Sequence, residues 1–329
     1  MMRRPVVLLA FAIAFVATTA AGSGTTVPLT AATSGRTDEG IMLLRPPPTG
    51  RVRLVGTFVM GSDPLAYLRG KGLCEREPLG AIPRQFMTAG GMVSETYCER
   101  ANLEREMPAH TVTLSPYYID RTEVTVEAYD RCVRAGVCDP PDFTRGDPHF
   151  DKPNFPITHV SREDGETFCA WAHGRLPTEA EWELAARGIG QRTFPWGELY
   201  NSRLANHGSL ALDDQDASDG FLGLAPVGSY PDGVTPEGVL DLAGNVAEWV
   251  ADLLQITPVA PKPGAQPELK IEPYLPSAQT NPVSTSGSVR IARGGSFESG
   301  AHMLRGAARW FLAIPVKLPS IGFRCVQDG

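Results

Sequence analysis

The sequence predicts a loop-rich domain that mixes short strands with short helices, and three observations carry that expectation. Glycine and proline number 34 and 29 of 329 residues, so much of the backbone belongs to turns. The first half of the chain holds two alternating, strand-like patterns and three well-capped helical ones. Beyond Ile189 no long periodic segment occurs, which predicts an irregular second half with short strands. A hydrophobic content of 42% and a charged content of 20% are ordinary for a folded protein, and the length suits one large domain or two modest ones.

The N-terminus sets the expected compartment. Arg3 and Arg4 precede "PVVLLAFAIAFVA", an apolar run of 13 residues, followed by the small residues of "TTAAGSG". Such a run is short of the roughly 20 residues that span a bilayer, so residues 1–21 read as a cleaved signal peptide and the mature chain as secreted or periplasmic. Residues 22–50, ending in "RPPPTGR", read as a Pro-rich linker. No second stretch of membrane length follows. The net charge of -7 and the lack of a Lys/Arg run exclude nucleic acid as the main partner.

The strand "VRLVGTFVMGS" opens the domain, which is expected to run over 51–327, and Gly61 ends that strand. The Gly/Pro-punctuated stretch that follows, to about Arg105, reads as a stapled insertion. "HTVTLSPYYID" alternates through Val112, Leu114, Tyr117 and Ile119, then gives way to a helix capped by Thr122 or Thr125 with Val126, Tyr129 and Val133 facing inward. Ser161 caps a second helix that Gly174 closes, and Thr178 with Glu181 forms a capping box for a third, stopped by Gly188. "VLDLAGNVAEWVADLL" is expected to hold at most a short helix, 255–288 a Pro-rich loop, and "SVRIARGGSF" and "SIGFRCVQ" short strands.

Six cysteines allow fifteen pairings. Proximity suggests Cys132 with Cys138 and Cys74 with Cys98, which leaves Cys169 for Cys325. That last bridge closes a long loop and contributes about 4 kcal/mol in the chain-entropy picture. No Cys-x-x-Cys motif or Cys/His cluster supports a metal site in their place. Successive members of Glu179, Glu181 and Glu183 stand two apart on one helix and point about 200° away from each other, so capping and solvation explain them better than paired acid/base work. Trp182 and Trp249 read as core anchors, Trp196 and Trp310 as either core or ligand stackers.

The segment "RGGSFESGAHMLRGAARW" has the look of a cleft rim: paired glycines, hydroxyls, a carboxylate, a histidine and arginines. Its candidates are Ser296, Phe297, Glu298, Ser299, His302 and Arg305. No Gly-x-Ser-x-Gly elbow supports hydrolase chemistry.

The ordered series "FVMGS", "MPAHTVTLSPYYIDRTEVTVEAY", "GRLPTEAEWELAARG", "FPWG", "PVGSYP", "DLAGNVAEWV", "RGGSF" and "IGFRC" resembles the formylglycine-generating enzyme, or sulfatase-modifying factor, family. The resemblance covers about 51–327 and implies a single, irregular α+β domain related to C-type lectin folds. Active members oxidise a sulfatase cysteine to formylglycine with oxygen and a copper ion held by two thiolates. The first thiolate position, three residues after the Ser of "GGS", is Ser299 here, and the second, five residues later, is Leu304. A hydroxyl does not replace a thiolate on Cu(I), and leucine has no donor at all. No cysteine lies between Cys169 and Cys325, and the Trp that active members place before the Glu of the "GN" motif is Ala247. Copper-dependent oxidation is therefore not expected. The resemblance also implies a structural Cys169–Cys325 disulfide.

By the same resemblance two structural calcium sites are expected. One draws on Asn206, His207, Asp219 and Phe221; the other on Asp241, the carbonyls of Gly244 and Val246, and Glu248. Oxygen donors from side chain and backbone suit Ca2+, while Asx turns explain Asp219 and Asp241 without metal. A non-haem iron site, as in the ergothioneine-synthesis enzymes that share the fold, is not expected, because the 29 residues of 22–50 cannot supply the His-rich domain it needs. The reading that results is an exported family member serving as a binding or recognition module for an unidentified ligand or extracellular or periplasmic protein. The alternative is an enzyme with altered chemistry in the same cleft.

Overall fold

A computed structural model describes residues 50–76, 103–208, 217–259, 268–271, 274–312 and 316–329. The expected signal peptide, nearly all of the linker, and Cys98 lie outside these residues.

Strand β1 (Arg51–Met60) pairs antiparallel with β2 (His110–Asp120) across a bulge between Leu54 and Gly56. In β2 the period-two pattern does what it predicts: His110, Val112, Leu114, Tyr117 and Ile119 are buried and the residues between them exposed. Helix α1 (Pro64–Arg76) follows β1, so the expected insertion is not all loop. Asp63 begins it: its Oδ1 accepts the Ala66 N–H at 2.7 Å, and Pro64 stands at the first helical position.

Helix α2 (Val126–Arg134) is capped by Thr125, not Thr122, and buries Val126, Tyr129 and Cys132, with Val133 half-buried. Helices α3 (Arg162–Trp171) and α4 (Glu179–Arg187) both carry capping boxes, Ser161 with Asp164 and Thr178 with Glu181. Gly188 ends α4 at φ 61°, a left-handed value that suits glycine.

The second half is built on β3 (Ala247–Leu254), β7 (Val289–Arg293), β8 (Arg309–Leu312) and β9 (Ile321–Gly322), in the order β8-β7-β3-β9. Here the segment expected to hold at most a short helix carries a strand. β3 lies between two neighbours and is covered on both faces, so Ala247, Glu248, Trp249 and Val250 are all buried and no alternation survives in the sequence. The 255–288 region is not wholly loop either. It holds the hairpin β4 (Ile256–Val259) with β5 (Glu268–Ile271), and β6 (Gln279–Thr280), which pairs parallel with β2. Strand β10 (Val326–Asp328) completes the first sheet against β2.

Helix α4 packs against β1, β2, β3 and β7, and all nine of its residues are buried. Trp182 and Trp249 are fully buried, as core anchors should be. Among the described residues Cys132 is bridged to Cys138 and Cys169 to Cys325; Cys74 is also disulfide-bonded. The architecture is a single α+β domain. Among the described residues no helix is long and apolar enough to cross a membrane.

Candidate functional site

At the end of β7 the chain turns through Gly294 and Gly295, at φ 95° and 67°. A Cβ on Gly294 would stand 3.0 Å from the Trp182 ring, and one on Gly295 3.0 Å from Leu304, so both positions need glycine for space as well as conformation. The turn that follows is closed by its own hydroxyls. Ser296 N–H donates to Ser299 Oγ at 2.9 Å, Ser299 N–H donates to Ser296 O at 2.9 Å, and Glu298 N–H donates to Ser296 Oγ at 3.2 Å. Two further segments of the loop region clamp it: Phe297 N–H donates to Asn245 O at 2.9 Å, and Gly208 N–H to Ser299 O at 3.0 Å. Of the candidates, Glu298 is exposed, Phe297 and Ser299 half-buried, and Ser296 buried.

His302 and Arg305 do not belong to that rim. Both are buried, at 1% and 3% exposure. Arg305 directs Nη1 and Nη2 at Glu106, 2.9 and 2.6 Å away, and its Nε donates to His302 O at 2.8 Å. Glu106 also accepts the Ser62 hydroxyl at 2.8 Å. Helix α1 crosses directly above: a Cβ on Gly70 would lie 2.7 Å from the Arg305 guanidinium carbon. Leu304 is fully buried in a small apolar cluster with Phe194, Ala205 and Ala243. The rim is thus four residues long, with a salt-bridged floor.

Solvation does not account for the helix α4 carboxylates. Glu179, Glu181 and Glu183 are 3%, 6% and 0% exposed. Glu179 holds Arg309 by two bonds of 2.6 and 2.7 Å and Arg293 at 3.0 Å; Glu183 holds Arg293 and Arg187, each at 2.6 Å, and accepts the Gly61 N–H at 2.7 Å. Burial alone would raise Glu183, yet Arg293, Arg187 and that N–H hold it below the usual carboxylate range. Glu181 pairs with Arg175 at 2.7 Å. Because Arg293 and Arg309 flank the rim segment, this network fixes both of its ends.

The two oxygen-rich sets also come together. Asp219 joins the first: its carboxylate accepts the His207 N–H at 2.6 Å and the Phe221 N–H at 3.0 Å. Asn206 donates its amide to Gly223 O at 2.8 Å and to Asn245 Oδ1 at 3.0 Å. The side-chain oxygen of Asn206, the carbonyls of His207 and Phe221 and the Asp219 carboxylate are donors of the hard type that calcium takes, although an Asx turn uses the same Asp219 bonds.

In the second set Gly244, at φ 78°, packs on the Asn206 carbonyl where no Cβ fits. Asp241 accepts the Gly228 N–H at 2.6 Å. Glu248 is held by Arg324 through two bonds of 2.7 Å and by Trp182 Nε1 at 2.8 Å. Sequence reading missed Glu123, whose Oε1 accepts the Asn245 amide at 3.0 Å while its Oε2 is buried with no hydrogen-bond partner among the described residues. Three carboxyls, buried Glu123 and Glu248 and half-buried Asp241, thus share one guanidinium, and all three are raised, first by desolvation. The crowding of three carboxyls around one guanidinium, and the unpartnered Glu123 oxygen, would suit a divalent cation. No three acidic, His or Cys side chains among the described residues converge as a metal cluster, so backbone carbonyls would have to complete either site.

Comparison with known proteins shows the family to which this fold belongs. Residues 70–329 match the family model described as the sulfatase-modifying factor enzyme 1-like domain. The formylglycine-generating enzyme of Thermomonospora curvata is 30% identical over 299 residues, covering 75% of this chain and 92% of that protein. The inactive C-alpha-formylglycine-generating enzyme 2 of Bos taurus is 43% identical over 108 residues, 32% of this chain and 35% of that protein. Among solved structures, PvdO from Pseudomonas aeruginosa superposes with a TM-score of 0.56 at 25% identity, over 85% of this chain and 94% of that one. The chain belongs to the formylglycine-generating enzyme, or sulfatase-modifying factor, family.

Proposed function

We propose that this chain is an exported member of its family that does not oxidise cysteine to formylglycine and instead serves as a recognition module. One observation carries the reading: the two positions at which the family resemblance calls for copper thiolates are Ser299 and Leu304, and Leu304 is fully buried in apolar packing. Soft sulfur ligands select Cu(I), and neither residue supplies one. The relative named as inactive supports the idea that this fold outlives the oxidase chemistry. Altered catalysis at the rim has little to work with, since His302 is buried and Arg305 is committed to Glu106.

The surface left for recognition is exposed Glu298 with the half-buried faces of Phe297, Ser299, Trp310 and Leu312. Such a mix of aromatic and polar groups suits the centre and edge of a contact. The calcium sets would be held by Asn206, His207, Asp219 and Phe221, and by Asp241, Gly244, Val246 and Glu248, with Glu123 beside the second. A bound Ca2+ would supply charge balance and crosslink the loops under the rim. Assay of copper-dependent formylglycine formation on a cysteine peptide tests the oxidase claim: no conversion is expected, and conversion would refute it.

A further inference from the structure

A cavity of about 580 Å³ opens on the far side of the Thr122–Thr125 turn and shares no lining residue with the rim. Its wall carries three arginines, Arg51, Arg121 and Arg131. Arg51 is committed, its Nε to Asp120 at 2.6 Å and its Nη1 to Gln327 at 2.7 Å. The other two are not. Arg121 is exposed and makes no ion pair among the described residues. Arg131 reaches only Glu127, at 3.6 Å, and that glutamate side chain is 65% exposed.

The Arg131 Nε–H is buried and has no hydrogen-bond partner among the described residues. A buried donor left unmade costs free energy, and the guanidinium that carries it lines a space large enough for a small molecule. Of the two acidic residues of the wall, Asp120 is fully engaged, while Glu123 is engaged through Oε1 and keeps a buried Oε2 turned away from solvent. Asp120 accepts from Arg51 and from the Cys325 N–H at 3.1 Å, and Glu123 takes the Asn245 amide. The rest of the wall mixes apolar Val124, Ala128, Phe168 and Ala172 with polar Thr122, Thr125 and His173. Guanidinium groups bind oxyanions through paired N–H donors, and apolar walls favour a ligand with a hydrophobic body.

We infer that this cavity binds a small organic oxyanion, with Arg121 and Arg131 on the charged group and Phe168, Ala128 and Ala172 against its carbon skeleton. Thermal-shift titration of the purified chain with benzoate, phenyl sulfate and phenyl phosphate tests the assignment and separates carboxylate, sulfate and phosphate sources. At least one should raise the melting temperature saturably, while benzamide and sodium chloride of matched ionic strength do not. Arg131→Lys keeps the charge but loses the planar, paired guanidinium donors, and should weaken the apparent Kd tenfold or more. Exposed Arg121→Ala should do the same and serves if the first variant does not fold. Arg53→Ala, an exposed charge outside the cavity, should leave the Kd unchanged. The inference is overturned if none of the three ligands saturates, if benzamide or inorganic sulfate acts as well as the organic anions, or if Arg131→Lys and Arg121→Ala bind as the parent does.

Discussion

Arg305 and Glu106 stand 199 residues apart in sequence and meet in a two-pronged ion pair of 2.6 and 2.9 Å, both side chains almost wholly buried. A residue that the sequence presents as part of a binding rim is in this way the floor beneath it. Removing one partner strands a buried charge, which typically costs about 3–5 kcal/mol, whereas replacing both by apolar groups of similar size costs much less. Denaturant unfolding should accordingly rank Arg305→Met well below the parent and the double variant Glu106→Met with Arg305→Met between them. Equal stability of Arg305→Met and the parent would show that the pair does not hold the floor.

Leu304 is expected to behave as core. Leu304→Ala empties a site closed by Phe194, Ala205 and Ala243, and changes of that kind cost about 2–5 kcal/mol. Urea denaturation measures it. A loss below about 1 kcal/mol would mean that this position is open to the surface, as a ligand-bearing position would be.

Asp252 gives the pH dependence a sign. Burial, with Glu179 adding to it, pushes its carboxyl from 3.8 up to about 6, against the pull of the Glu179 and Ser284 N–H groups. The folded state thus binds this proton more tightly than the unfolded state. The stabilisation is complete below about pH 4 and is lost as pH rises to about 6, amounting to about 3 kcal/mol. Carbon NMR of the Asp252 carboxyl should report a midpoint near 6; a midpoint near 4 would remove the effect.

Calcium should be visible in stability. If the loops bind the ion at a hundredfold excess over its Kd, chelation with EDTA removes about 2.7 kcal/mol. The melting temperature should fall on chelation and recover on adding Ca2+ in excess of the chelator. An unchanged melting temperature, with no calcium in the purified protein by elemental analysis, would leave Asp219 and Asp241 as turn caps.

What was legible in the sequence was local. Ser161, Thr178 and Gly188 announce helix ends because capping needs only neighbours within a turn, and Asp63 before Pro64 carried the same signal for α1 within a stretch read as an insertion. Strand β3 was hidden because burial on both faces erases alternation. The buried roles of Glu179 and Glu183 were hidden because their partners Arg293 and Arg309 lie 110 to 130 residues away. The rim divided along the same line. The Ser296–Ser299 turn is closed by its own residues, while the inward course of His302 and Arg305 depends on Glu106 and on helix α1. Glu123 had no sequence signal at all, since only the fold sets it beside Asp241.

The central claim is that the family's oxidase chemistry is absent from this chain, and one measurement bears on it most directly. The purified protein is loaded with Cu(I), incubated with oxygen, reductant and a cysteine-containing sulfatase peptide, and the peptide is read by mass spectrometry. The account predicts an unchanged cysteine and no stoichiometric copper on the protein. Formylglycine in the peptide would contradict it.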